Sequence, residues 1–372
     1  MSLPTHSARS IKVLIADDSS LMRSALCRLV ESDPELQVVG IAVDGLSAVE
    51  QVKTLQPDVV TLDIEMPRMN GLEALTRIMA ASPRPVIMLS SLTREGTRTT
   101  LDALDRGAFD FLAKPGIESA NGILDIREEL LTKIKSAARS SLMGRTAPPA
   151  RKGPTRALPT PLPKTQAPPA IVAIGTSTGG PKALQEILSQ LPSRFPTGIV
   201  VVQHMPVGFT TQFAERLNHI CQIAVRESKG DEAIEPGNVY IAPAGLHLTV
   251  VRSGATFRTH LSKLPEGTVH TPSVDVLLHS VAKTYGSKAM GIILTGMGND
   301  GAQGMKSLRD AGGWTVGQDA ESCAVYGMPR AAAELNALCR VAPLSHIAAE
   351  IIGSFPQLGN ASGSAAVGRS AP

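Results

Sequence analysis

The chain has 372 residues and a mass of 39.0 kDa, which predicts two domains at roughly 100 to 200 residues per domain. Hydrophobic residues make up 43% of the chain and charged residues 19%, which is typical of globular α/β proteins and excludes a wholly disordered or collagen-like chain. The net charge of +3 arises from segment 141–170, with five basic residues and no acid, so neither flanking part has the basic excess of a nucleic-acid-binding protein.

Between residues 11 and 138 the sequence alternates short apolar runs with segments of helical spacing. The apolar runs predict five buried strands, at 11–16, 38–42, 59–62, 86–89 and 109–112. The intervening segments, such as 21–30 and 46–55, repeat apolar residues at i, i+3 and i+4. This alternation predicts a doubly wound parallel sheet, in which ligands bind beyond the carboxyl ends of the strands.

Polar residues follow four of these predicted strands. Asp17 and Asp18 follow the first, Asp63 the third, Ser90 the fourth and Lys114 the fifth. Three carboxylates at one edge repel each other unless a hard cation joins them, and Mg²⁺ prefers oxygen ligands. A nearby lysine supplies a positive charge for a phosphoryl group. Each acid alone could be only a helix N-cap, but their shared position favours a metal and phosphoryl site. A dinucleotide site is disfavoured because residues 16–20 contain no glycine.

Residues 11–138 resemble a two-component receiver domain, which has a flavodoxin-like fold. The matching motifs are Ala16-Asp17-Asp18-Ser19, Leu62-Asp63-Ile64-Glu65-Met66-Pro67, Met69-Asn70-Gly71 and Ala113-Lys114-Pro115. The resemblance implies that Asp63 accepts a phosphoryl group from a histidine kinase and that Asp17 and Asp18 hold Mg²⁺ with it. It also implies that Ser90 and Lys114 contact the phosphoryl oxygens.

Residues 139–170 are predicted to form a basic, proline-rich linker between the two domains. Residues 147–170 contain eight prolines and no acid. Prolines bias such a segment toward an extended conformation, so we expect a semi-rigid spacer. A basic recruitment patch is the alternative interpretation.

The second predicted domain, 171–353, opens with a strand, a glycine-rich turn and a helix. The apolar run 171–174 leads into the segment 175–181, Gly-Thr-Ser-Thr-Gly-Gly-Pro, whose first five residues match the nucleophile pattern GxSxG at Ser177. The turn could instead be structural or bind a phosphate. Neither GK[ST] nor GxGxxG is present, so no nucleotide fingerprint is met.

Two later predicted strands end near residues that could complete a catalytic triad. The run 198–203 ends at His204, and the run 290–295 leads into a glycine-rich turn that contains Asp300. Parallel strands share one carboxyl edge, so Ser177, His204 and Asp300 can meet there as nucleophile, base and orienting acid. Taken singly, His204 could be a turn histidine and Asp300 a helix N-cap. The chain order Ser, His, Asp differs from that of α/β-hydrolases.

Residues 171–353 resemble the catalytic domain of the protein-glutamate methylesterases of the CheB family. The matching motifs are 175–181, Gln203-His204-Met205-Pro206, Gly208-Phe209-Thr210, 241–245, His270 with Pro272-Ser273-Val274-Asp275, and 296–301. The resemblance implies a phosphorylation-activated serine esterase that removes glutamate γ-methyl esters from chemotaxis receptors, releasing methanol, and that also deamidates receptor glutamines. It implies backbone oxyanion donors near Thr178 and Met297 and a place for His270 along the site. His247, His260 and His279 have no motif support and are expected to be structural or surface residues.

These features together predict the fold class as α/β, with two doubly wound parallel-sheet domains: a flavodoxin-like receiver and a methylesterase domain. We expect Mg²⁺ for receiver phosphorylation, no cofactor for ester hydrolysis, and a monomer that binds receptors and a histidine kinase but no nucleic acid. A receptor adaptor without catalysis and an esterase for a small-molecule ester are the alternative functions.

The compartment is predicted from three features. The four cysteines are too dispersed for a metal knuckle and too few for a disulfide scaffold. Residues 1–10 form an N-terminal extension without the apolar stretch of a signal peptide, and no run approaches the roughly 18 apolar residues of a membrane span. We therefore expect a cytoplasmic protein without membrane insertion, whose last residues, 354–372, are disordered.

Overall fold

The structure is a computed structural model that describes residues 10–91, 93–114, 126–146 and 167–359. The chain divides into two compact units, Met1–Arg151 and Lys152–Pro372. Among the described residues, no helix has both the length and the apolar character needed to cross a bilayer.

The first unit is a five-stranded sheet with helices between the strands. The strands are β1 (Ile11–Ala16), β2 (Leu36–Ala42), β3 (Val59–Asp63), β4 (Val86–Ser90) and β5 (Asp110–Ala113). The helices are α1 (Ser20–Glu31), α2 (Gly45–Leu55), α3 (Gly71–Ala81), α4 (Arg94–Asp105) and α5 (Arg127–Thr146). All strand pairs are parallel, in the order β2-β1-β3-β4-β5. Every residue of β3 and β4 is buried, which is consistent with their largely apolar sequences, Val-Val-Thr-Leu-Asp and Val-Ile-Met-Leu-Ser.

The second unit contains a seven-stranded parallel sheet and a separate hairpin. Its strands are β6 (Ile171–Thr176), β7 (Gly198–Gln203), β8 (Ala224–Glu227), β9 (Asn238–Ile241), β10 (His247–Ser253), β11 (Thr256–Ser262), β12 (Ala289–Ile293), β13 (Trp314–Gln318) and β14 (Arg340–Ala342). Its helices are α6 (Gly180–Leu188), α7 (Phe209–Ile220), α8 (Val274–Tyr285), α9 (Ala302–Asp310), α10 (Met328–Glu334), α11 (Leu344–Gly353) and α12 (Pro356–Gly359), with a 3₁₀ turn at Gly286–Lys288. The sheet order is β14-β13-β12-β6-β7-β9-β8, which places β12, β6 and β7 side by side at its centre.

The prediction of two parallel-sheet α/β domains is confirmed. The structure adds an antiparallel hairpin, β10–β11, in which His247 pairs with Ser262 and Ser253 with Thr256. The hairpin packs against α8, and the Val250 amide donates to the Ser280 hydroxyl at 2.9 Å.

The structure also corrects two predicted boundaries. Helix α5 continues to Thr146, so residues 139–146 are helical where a linker was predicted; residues 147–166 lie outside the described part of the chain. The predicted disordered tail is wrong for residues 354–359, because Phe355 is buried edge-on against Phe195, with ring centroids 4.9 Å apart, and α12 follows. Residues 360–372 are not described.

The helices that follow the central strands of the second unit start differently from those of the first unit. In the first unit, polar side chains cap α1 to α4, as Ser19 does by accepting from the Met22 amide. In the second unit, α6, α7 and α9 each begin after a glycine with positive φ, at Gly179 (77°), Gly208 (91°) and Gly301 (93°). These glycines let the chain reverse sharply from the end of a strand into a helix.

Candidate active site and phosphorylation site

Ser177 lies on the turn between β6 and α6, one residue beyond the end of a central strand. Its amide donates to the Thr295 carbonyl at 3.1 Å, and its carbonyl accepts from the Gly180 amide at 2.8 Å. The side chain is half-buried. The backbone of the turn is therefore held by bonds that do not involve the hydroxyl, which leaves the hydroxyl available for chemistry.

His204 occupies the equivalent position after β7, beside Ser177. Thr176 and Gln203 are partners in the parallel register, and the His204 amide donates to the Thr176 carbonyl at 3.1 Å. The buried Gln203 side chain bridges the two turns, since its Nε2 donates to the carbonyls of both Ser177 and His204 at 2.9 Å. One amide group thus fixes the backbone at both of these predicted catalytic residues.

Asp300 lies on the turn after β12 and contacts His204. The His204 Nε2 and Asp300 Oδ2 atoms are 2.8 Å apart. The other contacts of the carboxylate come from the start of α8: the Ser273 hydroxyl at 2.8 Å, the Val274 amide at 2.7 Å and the Asp275 amide at 3.0 Å. The structure therefore brings His204 and Asp300 into direct contact and places Ser177 on the adjoining strand end.

The environment of Asp300 determines which imidazole nitrogen carries the proton. Burial of Asp300 opposes its ionisation, but hydrogen bonds from His204 and from the amides of Asp275 and Val274 hold its pKa below the usual range. An ionised carboxylate only accepts hydrogen bonds, so Nε2 of His204 is the donor. The other nitrogen, Nδ1, is buried and has no hydrogen-bond partner among the described residues. His204 thus presents Nδ1 as an unshared lone pair.

The turn after β12 approaches Ser177 closely because it begins with glycine. A Cβ atom on Gly296 would lie 2.9 Å from Cβ of Ser177 and 2.1 Å from Sδ of Met328. Met297 follows on this turn and is half-buried, whereas Thr178 is buried on the Ser177 turn. Among the backbone hydrogen bonds of turns and loops in the described ranges, none has the amide of Thr178 or the amide of Met297 as its donor.

Of the four other histidines weighed in the sequence analysis, one lies at the site, one lies behind it and two are at the surface. His270 stacks on His204 with ring centroids 4.1 Å apart and an interplanar angle of 27°. His247 is fully buried, and its Nδ1 accepts from the Ser273 amide at 3.2 Å. His260 and His279 are exposed. Sequence reasoning missed the contacts of Ser273 and His247 because neither residue follows a strand of the parallel sheet.

Thr176 is the last residue of β6 and directly precedes Ser177. The side chain is fully buried, and its hydroxyl donates to the Thr295 carbonyl at 2.9 Å. The buried Thr176 hydroxyl therefore has a hydrogen-bond partner, and this bond joins β6 to the segment that follows β12.

The first unit gathers its own acidic cluster at the carboxyl edge of its sheet. Ligand atoms of Asp17, Asp18 and Asp63 all lie within 4.8 Å of one another. Lys114 Nζ contacts Asp63 Oδ2 at 2.7 Å and Asp17 Oδ2 at 2.9 Å. Three carboxylates against one ammonium leave a net negative charge, and the donors are all oxygen, so the residues fit a divalent hard cation such as Mg²⁺.

The pKa values of this cluster reflect its burial and its charges. Burial raises the pKa of Asp63 to about 6, with the neighbouring Asp17 acting in the same direction and Lys114 opposing it. Burial of Lys114 disfavours its ammonium form, yet the carboxylates of Asp63 and Asp17 raise its pKa above the usual value. The cluster therefore retains a cationic lysine beside the predicted acceptor.

Ser90, at the end of β4, makes its hydrogen bonds away from Asp63. The Thr100 hydroxyl on α4 donates to Ser90 Oγ at 2.5 Å, and Ser90 Oγ lies 3.3 Å from the Gly96 carbonyl. Ser90 is fully buried, and the Lys114 amide donates to its carbonyl at 2.7 Å. Ser90 and Lys114 thus lie side by side, while the contact of Ser90 with phosphoryl oxygens stays a prediction.

Comparison with known proteins gives matches for both units. The family model described as CheB methylesterase matches residues 172–351, and that described as response regulator receiver domain matches residues 13–121. A protein-glutamate methylesterase/protein-glutamine glutaminase from Thiobacillus denitrificans is 44% identical over 348 residues, covering 93% of this chain and 97% of the relative. The protein of the same name from Escherichia coli K12 is 44% identical over 342 residues, covering 92% and 96%.

Two solved structures, both from Thermotoga maritima, also match. The CheB methylesterase catalytic domain is 40% identical, with a TM-score of 0.48, and the match covers 49% of this chain and 97% of that one. The response regulator domain of CheB is 50% identical, with a TM-score of 0.33, and the match covers 35% and 98%.

Proposed function

This chain belongs to the CheB family of protein-glutamate methylesterases, and from that premise we propose that it hydrolyses glutamate γ-methyl esters on chemotaxis receptors by a Ser177, His204 and Asp300 mechanism. The observation that carries this proposal is the contact of His204 Nε2 with Asp300, which leaves Nδ1 without a partner beside the strand end that bears Ser177. The names of the relatives support both the methylesterase activity and a glutaminase activity.

In the first half of the reaction His204 acts as general base. Its Nδ1 takes the Ser177 proton as the serine oxygen attacks the ester carbonyl, and Asp300 stabilises the imidazolium that forms. The amides of Thr178 and Met297 are the proposed donors to the tetrahedral oxyanion. One such donor lowers the barrier by about 3 to 4 kcal/mol.

The second half regenerates the enzyme. The imidazolium returns its proton to the leaving methoxide, which departs as methanol and leaves a glutamyl ester on Ser177. Water then attacks this acyl enzyme with His204 again as base, releasing glutamate. On a glutamine the same steps release ammonia in place of methanol.

The proposal is tested by supplying the full chain with receptor membranes whose glutamates carry labelled methyl esters. We expect labelled methanol to be released in proportion to enzyme, and ammonia to be released from unmodified receptor glutamines. A small methyl ester serves as the comparison substrate. Hydrolysis of the small ester without release from receptors would contradict the receptor assignment while retaining the esterase.

We further propose that phosphorylation of Asp63 by a histidine kinase activates the esterase. Asp17, Asp18 and Asp63 would hold Mg²⁺, which neutralises charge as the phosphoryl group arrives, and Lys114 would pair with the phosphoryl oxygens. We also propose that the protein is a monomer in the cytoplasm, because the kinase and the receptor helices are accessible in that compartment.

Substituting Asp63 by asparagine is expected to abolish phosphoryl incorporation, because an amide cannot form the acyl phosphate. Basal methanol release should stay within about twofold, since the substitution lies outside the catalytic unit. The control is Asp58→Asn at the opposite end of β3, where an amide oxygen can still accept from the Lys12 amide as Asp58 Oδ2 does at 2.9 Å. Phosphoryl incorporation is measured with a labelled phosphodonor. Incorporation that persists in Asp63→Asn would contradict the assignment of Asp63 as the acceptor.

Deleting residues 1–146 is expected to raise basal activity, because we propose that the unphosphorylated receiver inhibits the esterase. A domain rearrangement of this kind typically corresponds to a change of about 5- to 150-fold. The cut falls after the last residue of α5, and β6 begins only at 171. A truncated enzyme no faster than the unphosphorylated full chain would argue against inhibition by the receiver.

A further inference from the structure

Ser273 is the residue outside the predicted triad with the most direct polar contact to it. Its hydroxyl donates to Asp300 Oδ1 at 2.8 Å, on the oxygen that does not face His204. We propose that Ser273 is a positioning residue of the active site, which holds the Asp300 carboxylate in the orientation that engages His204 Nε2. This inference rests on the proposed function, because it assigns a role within the same triad.

The Asp300 carboxylate has all its acceptor positions filled. A carboxylate offers about four lone-pair positions, two on each oxygen. Oδ2 accepts from His204 Nε2 at 2.8 Å and the Val274 amide at 2.7 Å, and Oδ1 accepts from the Ser273 hydroxyl at 2.8 Å and the Asp275 amide at 3.0 Å. Of the three donors other than the base, two are main-chain amides. Ser273 is therefore the side chain through which a substitution can change the support of Asp300 without touching the base.

Ser273 is itself held in place from behind. It is 4% exposed, and its amide donates to Nδ1 of the fully buried His247 at 3.2 Å. On its other side it caps α8, where the Val276 amide donates to its hydroxyl oxygen at 3.4 Å. The hydroxyl proton is thus directed at Asp300 while the oxygen faces the helix. Because both its amide and its hydroxyl oxygen are held by hydrogen bonds, Ser273 can fix the rotation of the Asp300 carboxylate.

The expected consequence is a defect in the chemical step rather than in substrate binding. Without the hydroxyl, Oδ1 retains only the Asp275 amide, and the carboxylate can rotate away from His204. Loss of one hydrogen bond to a charged group is expected to lower kcat about 10-fold. Because Ser273 is buried behind Asp300, its loss should lower kcat and leave KM unchanged.

A second consequence concerns the hydrogen bond between His204 Nε2 and Asp300. Because the carboxylate can rotate once Ser273 no longer holds Oδ1, this hydrogen bond should weaken in Ser273→Ala. The titratable groups around this contact are His270, stacked on His204, then His247 and Asp275 beside Asp300, and His279 beside Asp275. None of these is altered by the substitution.

The test compares Ser273→Ala, Ser273→Gly and Ser273→Thr in the full chain. Alanine and glycine both remove the hydroxyl, but glycine is a tolerated N-cap, so a shared defect cannot come from loss of the α8 cap. Threonine retains the hydroxyl and should restore kcat. The matched control is Ser280→Ala on the same helix, which removes a hydroxyl that contacts the Val250 amide and the Leu277 carbonyl instead.

Two measurements separate the inference from the proposed function. Methanol release should show kcat about 10-fold lower in the alanine and glycine variants, with KM unchanged. The NMR signal of the proton on His204 Nε2, which is shifted downfield by its bond to Asp300, should move upfield in the same two variants and not in Ser273→Thr or Ser280→Ala. This measurement requires no turnover, so it tests Ser273 even if the wild type releases no methanol. An unchanged Nε2 proton signal in Ser273→Ala, or a loss of kcat shared equally by Ser280→Ala, would overturn the inference.

Discussion

Substituting Ser177 by alanine is expected to reduce methanol release by about 10⁶-fold, the scale seen when the serine of a catalytic triad is removed. The proposed nucleophile is this hydroxyl, and an alanine side chain has no group that could form the acyl intermediate. The fold should survive, because the turn is held by the Ser177 amide and carbonyl rather than by the side chain. Steady-state release from labelled receptor membranes measures the effect.

The matched control is Ser189→Ala, which removes an exposed hydroxyl at the end of α6, the helix that follows Ser177. This variant should release methanol at the wild-type rate, and both variants should unfold at the same temperature as the wild type. Ser177→Ala releasing more than a small fraction of the wild-type amount would contradict the catalytic assignment of Ser177. Receptor binding by the wild type without enzyme-dependent release of methanol would favour the adaptor hypothesis.

Substituting Asp300 by asparagine is expected to lower kcat by about 10⁴-fold, as for the acid of other serine triads. The carboxylate accepts from four donors, and an amide can satisfy only the pair that faces its oxygen. If the NH₂ group faces His204, Nε2 must become an acceptor and Nδ1 loses its lone pair. If the oxygen faces His204, the charge that stabilises the imidazolium is absent.

Asp310→Asn provides the control for Asp300→Asn. Asp310 ends the helix that follows Asp300, and its exposed carboxylate pairs with Lys306, so the same chemical change occurs on the same element outside the site. This variant should retain wild-type kcat. Asp300→Asn with kcat within 10-fold of wild type would exclude an essential role for this carboxylate.

The sequence by itself determined the strands that carry the two candidate sites and which residues stand at the ends of those strands. The uninterrupted apolar runs at 171–174 and 198–203 predicted central strands, and the structure has β6 and β7 there with every residue buried. Burial on both faces requires such runs, so the signal is local and can be read from the sequence. The positions of Ser177, His204 and Asp300 followed from the same reasoning, because parallel strands direct their carboxyl ends to one edge.

Only the tertiary structure decided how these residues are supported. Asp300 accepts hydrogen bonds from residues 273–275, some 25 positions earlier in the chain. The Gln203 side chain joins the turns of Ser177 and His204 by donating to their main-chain carbonyls. Main-chain donors have no side-chain signature, so no sequence pattern marks them. The burial of Phe355 against Phe195 likewise depends on packing between segments distant in sequence, which is why the ordered end of the chain extends beyond the point predicted from composition.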